Sequence, residues 1–104
     1  MMDTLSVRRL TGTARLPMRQ TPGSAGYDLY ADVEELTIQP GEICRIPTGI
    51  AIAIGDIYTA AFIYARSGIA SKFGVSPANC VGVIDSDYRG EIQVPLMNHG
   101  KEPF

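Results

Sequence analysis

At 104 residues and 11.2 kDa the chain has room for one domain around one modest core, because a single hydrophobic core is the usual solution below about 250 residues. Nine Lys and Arg against eleven Asp and Glu give a net charge of -2, which leaves no cationic excess to bind a polyanionic nucleic-acid backbone by counterion release. With 45% hydrophobic and 19% charged residues the chain is globular rather than disordered, and its two cysteines, Cys44 and Cys80, are too few for a secreted disulfide framework and lack zinc-site spacing.

The N-terminal run Met1 to Arg9 has no apolar stretch after its basic residues, so neither a signal peptide nor a membrane anchor is read there, and a reduced cytoplasmic protein is expected. Strands are predicted over residues 5–9, 27–31, 34–38, 42–46, 49–54, 57–65, 79–84 and 90–97. They are separated by turn signals such as Pro22-Gly23-Ser24, Pro40-Gly41, Pro47-Thr48-Gly49, Gly55-Asp56 and Arg89-Gly90. Ile50, Ile52 and Ile54 alternate with Ala51 and Ala53, which places the isoleucines on one face, toward the core. The best helical stretch is Ser67 to Phe73, a turn or two, and the apolar runs at 50–54 and 60–65 are too short to cross a bilayer. In the last strand Ile92, Val94 and Leu96 alternate with Glu91, Gln93 and Pro95, and a proline inside a strand predicts an edge or a bulge there. The pattern is all-β: one domain over residues 1–104, built as a sandwich, jelly roll or closed barrel.

Neither a GxxxxGK(S/T) loop nor a GxGxxG turn is present, and the single histidine, His99, lies in a polar loop, which argues against a serine or cysteine hydrolase. Three clusters remain. In Ala25-Gly26-Tyr27-Asp28-Leu29-Tyr30-Ala31 a carboxylate interrupts an aromatic stretch; Asp28 is either a turn cap or a group that holds the waters of a divalent ion. In Ala65-Arg66-Ser67-Gly68-Ile69-Ala70-Ser71-Lys72 a guanidinium, a hydroxyl and a glycine amide follow one another, as in a surface turn or a phosphate cradle. The third, Asn79 to Glu91, reads as a β-hairpin whose main chain can recognise a flat base edge. There Asp85 follows a Val83-Ile84 pair expected to be buried, a setting that suits a general base; the alternative is an ordinary solvated turn with Tyr88 in the core.

In this order the segments AGYDLYA, ARSGIASK and GVIDSDYRGEI resemble the first three motifs of the trimeric dUTPase family, the dUTP pyrophosphatases. The resemblance covers the chain from about residue 5 onward. It implies a jelly-roll-like β-barrel, a homotrimer with sites at subunit interfaces, and Mg²⁺-assisted hydrolysis of dUTP to dUMP and pyrophosphate. Carried over by residue, Asp85 is the general base that activates water, and Asp28 holds waters of the Mg²⁺. Arg66, Ser67 and Gly68 contact the phosphates, Tyr88 packs under the deoxyribose, and Asn79 with Gly82, Val83 and Ile84 reads uracil. The family's GDRIAQ-like fourth motif and its glycine-rich arm are not found up to Phe104, so an incomplete chain is expected. That departure keeps open a dUTPase-like protein that binds dUTP or a protein partner without turnover. A dCTP deaminase, which shares the fold, fits less well because its GxIDPGFxG pattern differs from residues 82–90 here.

Overall fold

The computed structural model describes residues 4–104. Its elements are β1 (Ser6–Arg9), β2 (Ile43–Ala53), β3 (Ala61–Ile63), α1 (Ser67–Phe73), β4 (Val75–Pro77), β5 (Gly82–Ile84) and β6 (Glu91–Asn98). Four strands form an antiparallel sheet in the order β1-β2-β6-β4, and β3 pairs with β5 in a second, two-stranded sheet. The all-β expectation holds, with the one short helix where the sequence placed it.

The core is the isoleucine face of β2. Ile50, Ile52 and Ile54 pack with Ala14, Ile84 and Ile92, and Val7, Leu29, Ala61, Ile63 and Val94 close around them. Each isoleucine fully removed from water contributes about 1.5–3 kcal/mol, so this face is the main stabilising surface of so short a chain. Ala51, on the opposite face of β2 from Ile50 and Ile52, is buried as well.

Residues 42–46 and 49–54, expected as two strands, form one. The register with β6 slips between Pro47 and Ala51, and side chains supply the bonds that the ladder loses there. Thr48 Oγ1 donates to the Ile92 carbonyl at 2.6 Å and the Gly49 amide donates to Glu91 Oε2 at 3.0 Å. Gly49 has φ +69, and a Cβ on it would stand 2.5 Å from Asp32 Oδ2, so glycine is needed at the slip for both conformation and space.

Other expectations shorten or fail. Residues 27–31 make only an isolated bridge between Met18 and Asp28, and 34–38 form no strand, although Ile38 exchanges two backbone hydrogen bonds with Phe104 at 2.7 and 3.0 Å. The predicted 57–65 and 79–84 contract to Ala61–Ile63 and Gly82–Ile84, and β4 was not foreseen. Nor are the strands of the third cluster a hairpin: β5 pairs with β3 while β6 lies between β2 and β4, so the intervening turn crosses from one sheet to the other. Pro95 is therefore on an interior strand, opposite Arg45 and away from the slip. It is tolerated because its carbonyl, which accepts from Ala78 at 2.7 Å, and its nitrogen face the same side, where β4 has already ended at Pro77.

Two polar groups brace the loops. Asn98, wholly buried, donates to the carbonyls of Ile38 and Glu102 at 2.9 and 2.8 Å and accepts from the Gly100 amide at 2.8 Å. Asp32 accepts from the hydroxyls of Thr11 at 2.7 Å and Thr13 at 2.6 Å, which hold its carboxyl below the usual carboxylate range. Because these bonds favour the ionised form, their stabilisation is complete above the unfolded-state pKa and is lost as the pH falls through the lower folded value. Asp32→Asn should therefore lower the melting temperature at neutral pH and flatten its decline below about pH 4. Melting curves for the two proteins that stayed parallel from pH 7 down to acid unfolding would contradict this.

Candidate functional site

A cavity of about 180 Å³ opens between the two sheets, where the chain passes from β5 to β6. Of the residues singled out in the sequence, Asn79, Gly82, Val83, Ile84, Asp85 and Tyr88 all line it. Ile63 and Pro77 complete one wall, and Glu91 to Pro95 of β6 form the other. β5 has β3 on one edge only, so its second edge offers unpaired main-chain groups beside the cavity.

The connection from β5 to β6 is a turn closed by the Tyr88 amide donating to the Asp85 carbonyl at 3.1 Å. Asp85 and Tyr88 are thus presented together. The phenol donates to the Glu91 carbonyl at 2.7 Å, which fixes the ring against the start of β6. Gly90 makes room for that ring, since a Cβ there would lie 2.7 Å from Tyr88 Oη and 2.9 Å from Cζ. On its outer side Asp85 also borders an open depression of about 460 Å³, with Ser86, Asp87 and residues 57–60. The 57–60 loop is stiffened by Asp56, which accepts from the Tyr58 amide and the Thr59 hydroxyl, both at 2.9 Å, and whose carboxyl these bonds hold below its ordinary value.

The expected buried Val83-Ile84 pair is corrected in part. Neighbouring strand residues point to opposite faces, so Ile84 enters the core while Val83 is 61% exposed, and Asp85 is exposed as well. The desolvated setting foreseen for this carboxylate is therefore absent in the single chain.

Asp28, Arg66, Ser67 and Gly68 do not line the cavity. They form a second locus: the Met18–Asp28 bridge and the start of α1 bring Asp28 Oδ2 to 3.9 Å from Arg66 Nη2. The Asp28 side chain is 24% exposed and that of Arg66 64%, so the guanidinium is free to meet another anion. Arg66 is the N-cap of α1 and makes no side-chain cap bond, leaving the first-turn amides to solvent. Among the described residues no three His, Cys, Asp or Glu side chains converge as a metal site. Both cysteines are free thiols; burial, and then the Glu42 carboxylate, push that of Cys44 up, away from the reactive thiolate. No helix among the described residues is long and apolar enough to cross a membrane.

Sequence reasoning gave Glu91, Gln93 and Gly90 no role at the site, although Gly90 and Glu91 lie within the third cluster. Glu91 and Gln93 read as the outward members of an alternating strand, and only the packing of two sheets brings residues 91–95 to a cavity. Gly90 was legible only as part of the Arg89-Gly90 turn and the third cluster; its contact with the Tyr88 ring was not.

A family model for dUTPase matches residues 13–104. A deoxyuridine 5'-triphosphate nucleotidohydrolase of Desulfitobacterium hafniense is 58% identical over 91 residues, 86% of this chain and 60% of that protein. One from Shewanella pealeana is 53% identical over 90 residues, 86% of this chain and 59% of that protein. Among solved structures, a mutant dUTPase from Staphylococcus aureus phage phi11, described for its coordination of a structural Mg(II) ion, superposes with a TM-score of 0.84 at 32% identity, covering 94% of this chain and 61% of that one. A mutant dUTPase of Staphylococcus bacteriophage 80alpha with dUpNHpp gives a TM-score of 0.83 at 29% identity, covering 96% and 62%. The chain thus spans about three fifths of the length of the curated relatives it matches.

The Gly90 contact yields a structural test. Gly90→Ala should displace the Tyr88 ring from its bond to the Glu91 carbonyl at a cost of about 1–3 kcal/mol. The check is the loss of NOEs from the Tyr88 ring to residues 90 and 91 with the β2–β6 NOEs kept; an unmoved ring would refute the steric argument.

Proposed function

The chain belongs to the dUTPase family, and from that premise we propose that it carries the greater part of a site that hydrolyses dUTP to dUMP and pyrophosphate. The observation that carries this reading is the single cavity in which Asn79, Gly82, Val83, Ile84, Asp85 and Tyr88 meet. The free edge of β5 offers main-chain donors and acceptors to a planar uracil edge, much as it would to a partner strand, and Asn79 stands beside it. Tyr88, held by Glu91, gives the deoxyribose a flat floor that leaves no room for a 2′-hydroxyl.

Asp85 takes a proton from a water as that water attacks the α-phosphorus; the bond to the bridging oxygen breaks, and pyrophosphate leaves with its electron pair. Such a reaction needs a positioned base and charge neutralisation rather than a covalent nucleophile. Arg66, with the Ser67 hydroxyl and the Gly68 amide, supplies cationic and hydrogen-bonding contacts for the phosphate chain.

The donor set of this chain fits a Mg²⁺ held through water and phosphate oxygens rather than in a protein cage: Asp28 is one partly exposed carboxylate without converging partners. When bound, the ion would neutralise charge on the triphosphate. Asp28 would hold it by accepting hydrogen bonds from its waters.

Two features support a homotrimer. The phosphate-binding residues lie outside the cavity of their own chain, so a neighbouring copy is needed to bring them to it. Phe62 and Val83, register partners on β3 and β5, are 55% and 61% exposed and give the small sheet an apolar outer face. A cytoplasmic setting fits the two free thiols.

Pyrophosphate release from dUTP in Mg²⁺, with dCTP and UTP as controls, tests the reading. Selective release is expected, and Asp85→Asn should lower it on the order of 10³-fold while nucleotide binding persists. Binding of dUTP without release would replace the enzyme by a nucleotide-binding protein, and release of ammonia from dCTP would replace it by a deaminase. Sedimentation should give three times the mass of the chain; a monomer that turns over dUTP would exclude the shared site.

A further inference from the structure

We propose that Arg89 is a positioning residue that locks the turn bearing Asp85 and Tyr88 onto the end of β2; its catalytic half rests on the nucleotide reading above. The turn runs between two sheets and gains no ladder bonds from either. Its own closure is the one bond from the Tyr88 amide to the Asp85 carbonyl. From the outer side Arg89 Nη1 donates to the carbonyls of Ser86 at 2.7 Å and Tyr88 at 3.1 Å, and Nη2 donates to that of Ile54 at 3.1 Å. Ile54 is 3% exposed and belongs to the core, so the guanidinium fastens a solvent-exposed turn to the buried core. Arg89 does not line the cavity and touches no reacting group there.

A planar fork with donors on separate nitrogens can hold three carbonyls from two elements at once, whereas an ammonium is a point charge on a flexible stem. The identity of the residue therefore matters, not its charge alone. Because Asp85 and Tyr88 sit at the two ends of the same turn, loosening it displaces the base and the sugar floor together.

The test compares the parent protein with Arg89→Ala and Arg89→Lys. Hydrogen exchange at the Tyr88 amide should quicken on the order of tenfold in both, while the amides of Ile50 and Ile52 stay protected. With dUTP, kcat should fall on the order of tenfold with little change in KM, and the preference for dUTP over UTP should narrow; lysine should not restore either. Unchanged exchange at Tyr88, or full rescue by lysine, would overturn the proposal. A parent protein without dUTP turnover would refute the hydrolase reading and the catalytic half with it, while the exchange result still decides whether Arg89 holds the turn.

Discussion

The pairing of β2 with β6, and the polar repair of its one irregularity, is the constraint on which the rest of the structure depends. Without Thr48 and Glu91 the slip between Pro47 and Ala51 would leave buried main-chain groups unpaired, each at a cost of about 1–3 kcal/mol. With them, β2 runs unbroken and sets Ile50 and Ile52, with Ile54 just past its end, in the core. Glu91 then serves the site as well as the fold, since its side chain mends the ladder while its carbonyl receives the Tyr88 phenol.

β6 also connects the two functional loci. Its first residues wall the cavity, and at its far end His99 donates from its amide to the Gly74 carbonyl at 2.8 Å, just where α1 stops. Asn98 gathers the Ile38 and Glu102 carbonyls at the same place, and Phe104 packs on Phe73 of α1 with ring centroids 5.2 Å apart. The helix that presents Arg66, Ser67 and Gly68 is therefore anchored to the same strand as the turn that presents Asp85.

The charges of the second locus are weakly committed to one another. A partly exposed pair at 3.9 Å is worth at most about 1 kcal/mol, so another anion can take the Arg66 guanidinium from Asp28 at little cost. That suits the phosphate contact proposed above for Arg66. The cavity wall is the opposite case: Gly90, the Tyr88–Glu91 bond and the Arg89 fork hold it in place within the chain itself, as a preorganised surface requires.

The sequence by itself determined the all-β class, the helix at Ser67–Phe73, the inward face of Ile50, Ile52 and Ile54, and the three clusters, because these rest on local turn chemistry, on period-two alternation or on contiguous residues. It misjudged the strand at 27–31, the hairpin at 79–91, the burial of Val83 and the edge or bulge at Pro95, because each depends on which strand a segment finds as its partner. Only the tertiary structure decided that β5 and β6 part to different sheets. That divergence opens the cavity, brings residues 91–95 to its wall, and sets Arg89 on the back of the turn, and no local signal encodes it because strand pairing is a contest among distant segments for the same backbone bonds.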